Sequence, residues 1–211
     1  MLVTLITGTG IGLVVSLVAS LFVAGLHFLT DQRNRMDGFL TFLEFADGSF
    51  VPMIWLIGAA LLLWCVRRLF GIERWHGPAD SIFGAHRLDN EIDVKGGVGS
   101  TVGAFVSIAG GASVGQYGPL VHFGATIGTF LRQLIEKFQD GGKEIIGTDV
   151  FIGCGVAAAI AAGFQAPIAG IVFAHEAILR HFSFRALTPI AIASITSVWF
   201  STAVFGDEPL F

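Results

Sequence analysis

Charged side chains fall in clumps along this chain and leave long apolar runs between them. None occurs from Met1 to Thr30, from Phe50 to Val66, from Gly96 to Leu131, from Val150 to Ala174 or from Ala186 to Gly206. About 20 apolar residues of helix cross the hydrocarbon core of a bilayer, and each run reaches or approaches that length. Leu2 to Leu29 and Phe50 to Leu69 read as two long helices joined by a polar hairpin, ended by Asp31-Gln32-Arg33 and by Arg67-Arg68. No Lys or Arg precedes the first run, which is long and unbroken, so it reads as a retained membrane helix and not as a signal peptide.

The later runs are interrupted. Gly96 to Leu131 is too long for one span, and "GGASVGQYGP", residues 110 to 119, breaks it with four glycines and a proline. The pattern predicts one helix up to about Ala109 and another starting at Pro119, where proline suits a first helical turn. A second break, "GFQAP" at 163 to 167, separates a small-residue helix from one beginning near Pro167. Ala and Gly at this density let helix backbones approach closely. The stretch "ERWHGPADSIFGAHRLDNEIDVKGG", 73 to 97, has a short apolar centre between polar ends and reads as an interfacial or re-entrant piece. The expected fold is therefore an all-α integral membrane domain occupying 1 to 211. Its spans are expected near 5–29, 50–69, 97–110, 119–134, 148–162, 166–180 and 186–205.

Composition agrees with a bilayer protein. Charged residues make up 13% and hydrophobic residues 54%, with a mean hydropathy of +0.76, whereas about a quarter of an ordinary soluble domain is charged. The net charge of −4 lies in the gaps between runs and points to no nucleic-acid partner. Arg67, Arg68, Arg74, Arg87 and Lys95 outnumber Arg33 and Arg35 across the first two gaps, which puts 67–95 and the N-terminus on the cytoplasmic side of a plasma or cell inner membrane. Cys65 and Cys154 both sit in apolar runs and read as small hydrophobes.

Non-helical backbone at membrane depth survives only where protein buries it or where it lines a watery cavity, so two breaks argue for a site. A helix starting at Pro119 would turn its unpaired N–H groups and positive dipole end toward Gly115 to Gly118, an arrangement suited to an anion. A packing kink is the plainer reading of the same glycines and proline.

Two segments carry a more specific signal. "GGASVGQYGPLVHFGA", 110 to 125, resembles the segment G-G-x-x-x-G-[RK]-E-G-P-x-[VA]-x-[IL]-G-A of the CLC chloride channels and transporters. "GVAAAIAAGFQAPIAGIVFAHE", 155 to 176, is similar to that family's G-A-A-A-G-[LI]-A-A-A-F-N-A-P-[IL]-A-G-x-[LI]-F-x-x-E. The resemblance covers most of this chain but only the first half of the family's fold, which is two inverted-topology repeats. It sets Gly115, Gly118 and Pro119 on the family's glycines and proline, Gln116 on its Arg or Lys, and Tyr117 on its gating Glu.

Tyr117 is the only tyrosine beside twenty phenylalanines, and a phenol ordinarily titrates near pH 10, so it can plug a path or donate to an anion but not cycle protons near neutrality. The exchangers' inner proton glutamate corresponds to Ala177, directly after Glu176. The resemblance thus implies passive anion conduction, with His175 and His181 expected to be packed or surface residues. The family's first filter segment, G-S-G-I-P, is poorly kept. One register places Gly77 at its serine and another places Pro78 there, and the amides of Gly77, Pro78, Ala79, Asp80 and Ser81 mark the region expected to face the ion.

The expected partners are chloride or another small anion, membrane lipid, and a second copy or a chain carrying the second repeat; by family analogy 166–180 and 186–205 help form a dimer interface. Alternatives are an anion/proton exchanger and a truncated half that conducts only with a second repeat. An enzyme is set aside: in "AHEAILRH" the histidines lie six apart and not four, so no zinc-protease face forms, and no cofactor or metal is called for.

Overall fold

A computed structural model describes residues 2–39, 51–87, 92–115, 117–138 and 146–206. They form eight helices: α1 (Leu2–Phe39), α2 (Val51–Phe70), α3 (Pro78–His86), α4 (Val94–Ala109), α5 (Tyr117–Phe138), α6 (Thr148–Phe164), α7 (Pro167–Phe173) and α8 (Phe184–Phe205). α7 continues into a π-helical turn, Ala174–Leu179, and no strand occurs among the described residues. α1, α2 and α8 contain stretches long and apolar enough to cross a membrane, while α4, α6 and α7 with its π turn are shorter apolar helices. The fold is all-α, as the sequence predicts.

α6 is the hub. It is buried along almost its whole length, because a run of Gly, Cys, Val and Ala offers no polar face and little bulk. α5 lies against it at backbone contact: a Cβ on Gly124 or Gly128 would strike the carbonyl oxygens of Gly155 and Phe151. α1 meets α8 in the same way, with Gly8 and Gly12 set against the backbone of Pro189 and Ala193. Leu120 and Ile127 of α5, Ile11 and Val15 of α1 and Ile190 and Ala193 of α8 close one core around the alanines of α6. Serine hydroxyls tie the layers: Ser16 donates to the Ser197 carbonyl at 2.8 Å, and Ser197 to the Ala158 carbonyl at 2.6 Å. α2 stands outside this core, largely exposed and resting on α4.

Several boundaries differ from the sequence reading. α1 does not stop at Asp31-Gln32-Arg33 but runs on to Phe39. Charge marks the end of an apolar run and not of the backbone ladder, and Arg33 folds back to donate to the Ala109 carbonyl at 3.4 Å. α5 begins at Tyr117, two residues before Pro119, which still lies in the first turn where its missing N–H costs no helical bond. The helix expected over 166–180 changes from α to π at Ala174 and ends at Arg180, whose φ is 55°. The stretch 73–97 supplies the short helix α3 and the first turn of α4.

Candidate functional site

Three helix ends converge. α3 opens at Gly77 and Pro78, α5 at Tyr117, and α6 closes at Phe164 before the break to α7. A Cβ on Gly118 would sit 3.5 Å from Pro78 Cγ, so the starts of α3 and α5 lie side by side with room for little more than a methyl group between them. The Tyr117 ring stacks on Phe164, centroids 4.6 Å apart and planes 21° apart, which joins the break at 110–119 to the break at 163–167. Tyr117 is 45% exposed. Gly115 reaches φ +72°, a left-handed turn that a side chain would strain, just ahead of α5.

The second break is pinned by its own side chain. Gln165 holds φ 52°, an uncommon value for a residue with a Cβ. Its amide nitrogen donates to Ser201 Oγ at 3.3 Å and its carbonyl oxygen accepts from Thr202 Oγ1 at 3.0 Å, so α8 fixes the conformation.

The sequence-predicted residues are not equivalent in the structure. Pro78, Tyr117, Gly118 and Pro119 gather at the junction, with Gly77 and Ala79 alongside. Gln116 lies outside the described residues. Asp80 turns back on its own helix: its carboxylate accepts from the Gly77 N–H at 2.8 Å and pairs with Arg74. Burial pushes the Asp80 carboxyl up, but the Gly77 N–H, the Arg74 guanidinium and His76 outweigh it and hold it below its ordinary value. The amide of Gly77 is thus occupied by an internal carboxylate. Ser81 is wholly buried and its hydroxyl faces His122 Nδ1 at 2.9 Å.

Where the resemblance sets the exchangers' inner glutamate, Glu176 is exposed and Ala177 half-buried on the π turn. His175 is buried, donates from Nδ1 to the His181 carbonyl at 3.0 Å and stacks on Phe182; His181 stands half-exposed 3.8 Å from Asp149. Among the described residues no group of His, Cys, Asp or Glu is arranged to hold a metal ion, and both cysteines are free thiols.

Two residues of the site go unmarked in the sequence reading. Phe164 reads only as part of a break, though an aromatic at a helix end beside another break is a natural ring partner. His122, an imidazole inside an uncharged run one turn into α5, was passed over.

A helical membrane protein whose broken helices meet end to end belongs to the class built around discontinuous helices, in which irregular backbone is confined to a protein-lined junction. The sequence pattern described as voltage gated chloride channel matches residues 58–211, most of the chain. The protein belongs to that family, the CLC channels and transporters.

Among curated relatives, the voltage-gated ClC-type chloride channel ClcB of Yersinia pseudotuberculosis is 23% identical over 215 residues, covering 99% of this chain and 50% of the relative. The putative chloride channel protein ClcB-like of Ralstonia nicotianae is 28% identical over 109 residues, 52% of this chain and 25% of the relative. Two solved structures share the fold over 98% of this chain and 48% of their own. One is a slow cyanobacterial Cl−/H+ antiporter, at a TM-score of 0.73 and 19% identity. The other is a CLC-type fluoride/proton antiporter, at a TM-score of 0.69 and 25% identity. The chain spans about half the length of the relatives it matches.

Proposed function

We propose that this domain is the first repeat of a CLC-type pathway that conducts chloride or a similar small anion passively, with Tyr117 in place of the gating glutamate. The observation that carries the reading is the junction itself: Tyr117 stands at the start of α5, stacked on Phe164, with the start of α3 at Pro78 alongside Gly118. Backbone amides and helix dipoles attract an anion without a fixed cation, and a weak site of this kind lets the ion leave again. Gly115, Gly118 and Pro119 with Gly77 to Ala79 form the cradle, and Asp80 limits the affinity because its carboxylate already takes the Gly77 N–H at the α3 end. A second repeat, on the same or another chain, walls the other side. The complete unit is a homodimer in the plasma or cell inner membrane.

A second reading, an anion/proton exchanger, draws on the two antiporters that share the fold. One assay separates the two: chloride efflux from liposomes with a potassium shunt, external pH recorded together, for the chain alone and joined to a second repeat. Passive conduction gives flux without a pH change, and Tyr117→Ala raises that flux without creating proton movement. Proton uptake with the anion defeats the passive reading, and absence of flux in both preparations defeats the assignment of an anion pathway.

A further inference from the structure

Ser81 and His122 face each other one helical turn behind the ends that meet at the junction. Ser81 follows Pro78 by three residues on α3 and His122 follows Gly118 by four on α5, the spacings that place side chains on one face of a helix. Ser81 is 0% and His122 1% exposed, and their Oγ and Nδ1 lie 2.9 Å apart. This side-chain hydrogen bond joins α3 to α5.

The other face of the imidazole is different. Nε2 is buried with no hydrogen-bond partner, and it lies 3.3 Å from the point where Gly97 of α4 would carry a Cβ. Gly96 leaves room in the same way for His76, whose ring lies parallel to His122 with centroids 6.0 Å apart and whose backbone N–H donates to Ser100 Oγ at 2.9 Å. A buried nitrogen without a partner is costly, and an apolar side chain of similar volume would fill this space without that cost. What the histidine supplies that a leucine would not is the bond from Nδ1 to Ser81.

We propose that His122 is a positioning residue for the anion site: through Nδ1 it holds Ser81, and so fixes the start of α3 against the start of α5. The inference rests on the reading of the junction as an anion site. It assigns the function to Nδ1 and none to Nε2, which makes the two amide replacements of histidine unequal. Asparagine carries a polar atom near the place of Nδ1 and nothing at Nε2; glutamine reaches the place of Nε2 and leaves Nδ1 empty.

The test is calorimetric titration of chloride into the purified chain in detergent, with a thermal unfolding midpoint measured on each variant. Ser81→Ala and His122→Leu are expected to weaken chloride binding about fivefold, the size of one net buried hydrogen bond. His122→Asn restores affinity to within about twofold of the unsubstituted chain, and His122→Gln does not. Rescue by glutamine in place of asparagine overturns the assignment to Nδ1. Midpoints that fall while chloride affinity stays constant make the pair a packing feature and overturn the proposal, leaving the site intact. If the unsubstituted chain and Tyr117→Ala both bind no chloride, alone and joined to a second repeat, the anion site itself is wrong and this inference falls with it.

Discussion

The stack between Tyr117 and Phe164 determines how firmly the phenol is held at the junction. Ring centroids 4.6 Å apart and planes 21° apart fall within the offset-stacked range, where a pair contributes about 0.5–1.5 kcal/mol beyond its area burial. That energy corresponds to a factor of about two to twelve in the ratio of held to released tyrosine. Phe164→Leu keeps apolar volume at the end of α6 but removes the ring. If the held phenol obstructs the path, chloride flux in liposomes rises by up to that factor, and Tyr117→Ala raises it at least as much. The two changes are then not independent: adding Phe164→Leu to Tyr117→Ala produces no further rise, because the ring Phe164 acts on is gone. Initial efflux rates, normalised to the amount of protein in the vesicles, give all four corners of the cycle. The reasoning is refuted if the two effects multiply, or if Phe164→Leu leaves flux unchanged while Tyr117→Ala raises it.

Two further outcomes follow from the contacts around the site. The Asp80 carboxyl is held below its ordinary value, so it contributes stability that is present above the ordinary aspartate value of 3.8 and is lost as the pH falls through its lower folded value. The thermal unfolding midpoint of the detergent-solubilised chain should therefore fall on acidification below 3.8, and Asp80→Asn should flatten that slope; an unchanged slope would remove Asp80 as its source. Gln165→Ala gives up the bonds to Ser201 and Thr202 and is expected to cost about 1–3 kcal/mol. Gln165→Gly loses the same bonds yet relieves the backbone at φ 52°, so it should unfold at a higher temperature than the alanine variant.

The spans were legible because lipid admits few charges: the uncharged runs at 50–66 and 186–206 match α2 and α8, and those at 96–131 and 150–174 each hold a pair of helices, α4 with most of α5 and α6 with α7, around a break. Their ends were less so. α1 runs past its first charged residues because helical hydrogen bonding continues where the apolar run stops, and the π turn at Ala174–Leu179 leaves no mark in a stretch of ordinary helix formers. Both breaks were visible in their glycines and prolines. What the sequence could not disclose was which break touches which. The contact of Tyr117 with Phe164, of Gly118 with Pro78 and of Ser81 with His122 depends on the crossing of α5 over α3 and α6, and that crossing is set by glycines far along the helices, Gly124 and Gly155.

The same geometry bears on the choice between channel and exchanger. A proton-coupled site needs a group that gains and loses its proton near the working pH while in contact with the path. On the converging segments, residues 77–81, 115–119 and 164–167, Asp80 is the one acid in the sequence. Its carboxylate is held by Arg74 and the Gly77 N–H and kept below its ordinary value, so it remains ionised where a carrier would have to cycle. The position that carries the gating glutamate in the family holds a phenol stacked on an aromatic ring. The inner position holds Ala177, and His175 beside it donates its Nδ1 proton to a backbone carbonyl from a fully buried ring. Of these positions, 117 and 177 are therefore non-acidic and Asp80 is held in an ion pair, which supports the proposed passive reading; a relay through the unpartnered Nε2 of His122 or His175 is what proton uptake in the liposome assay would reveal.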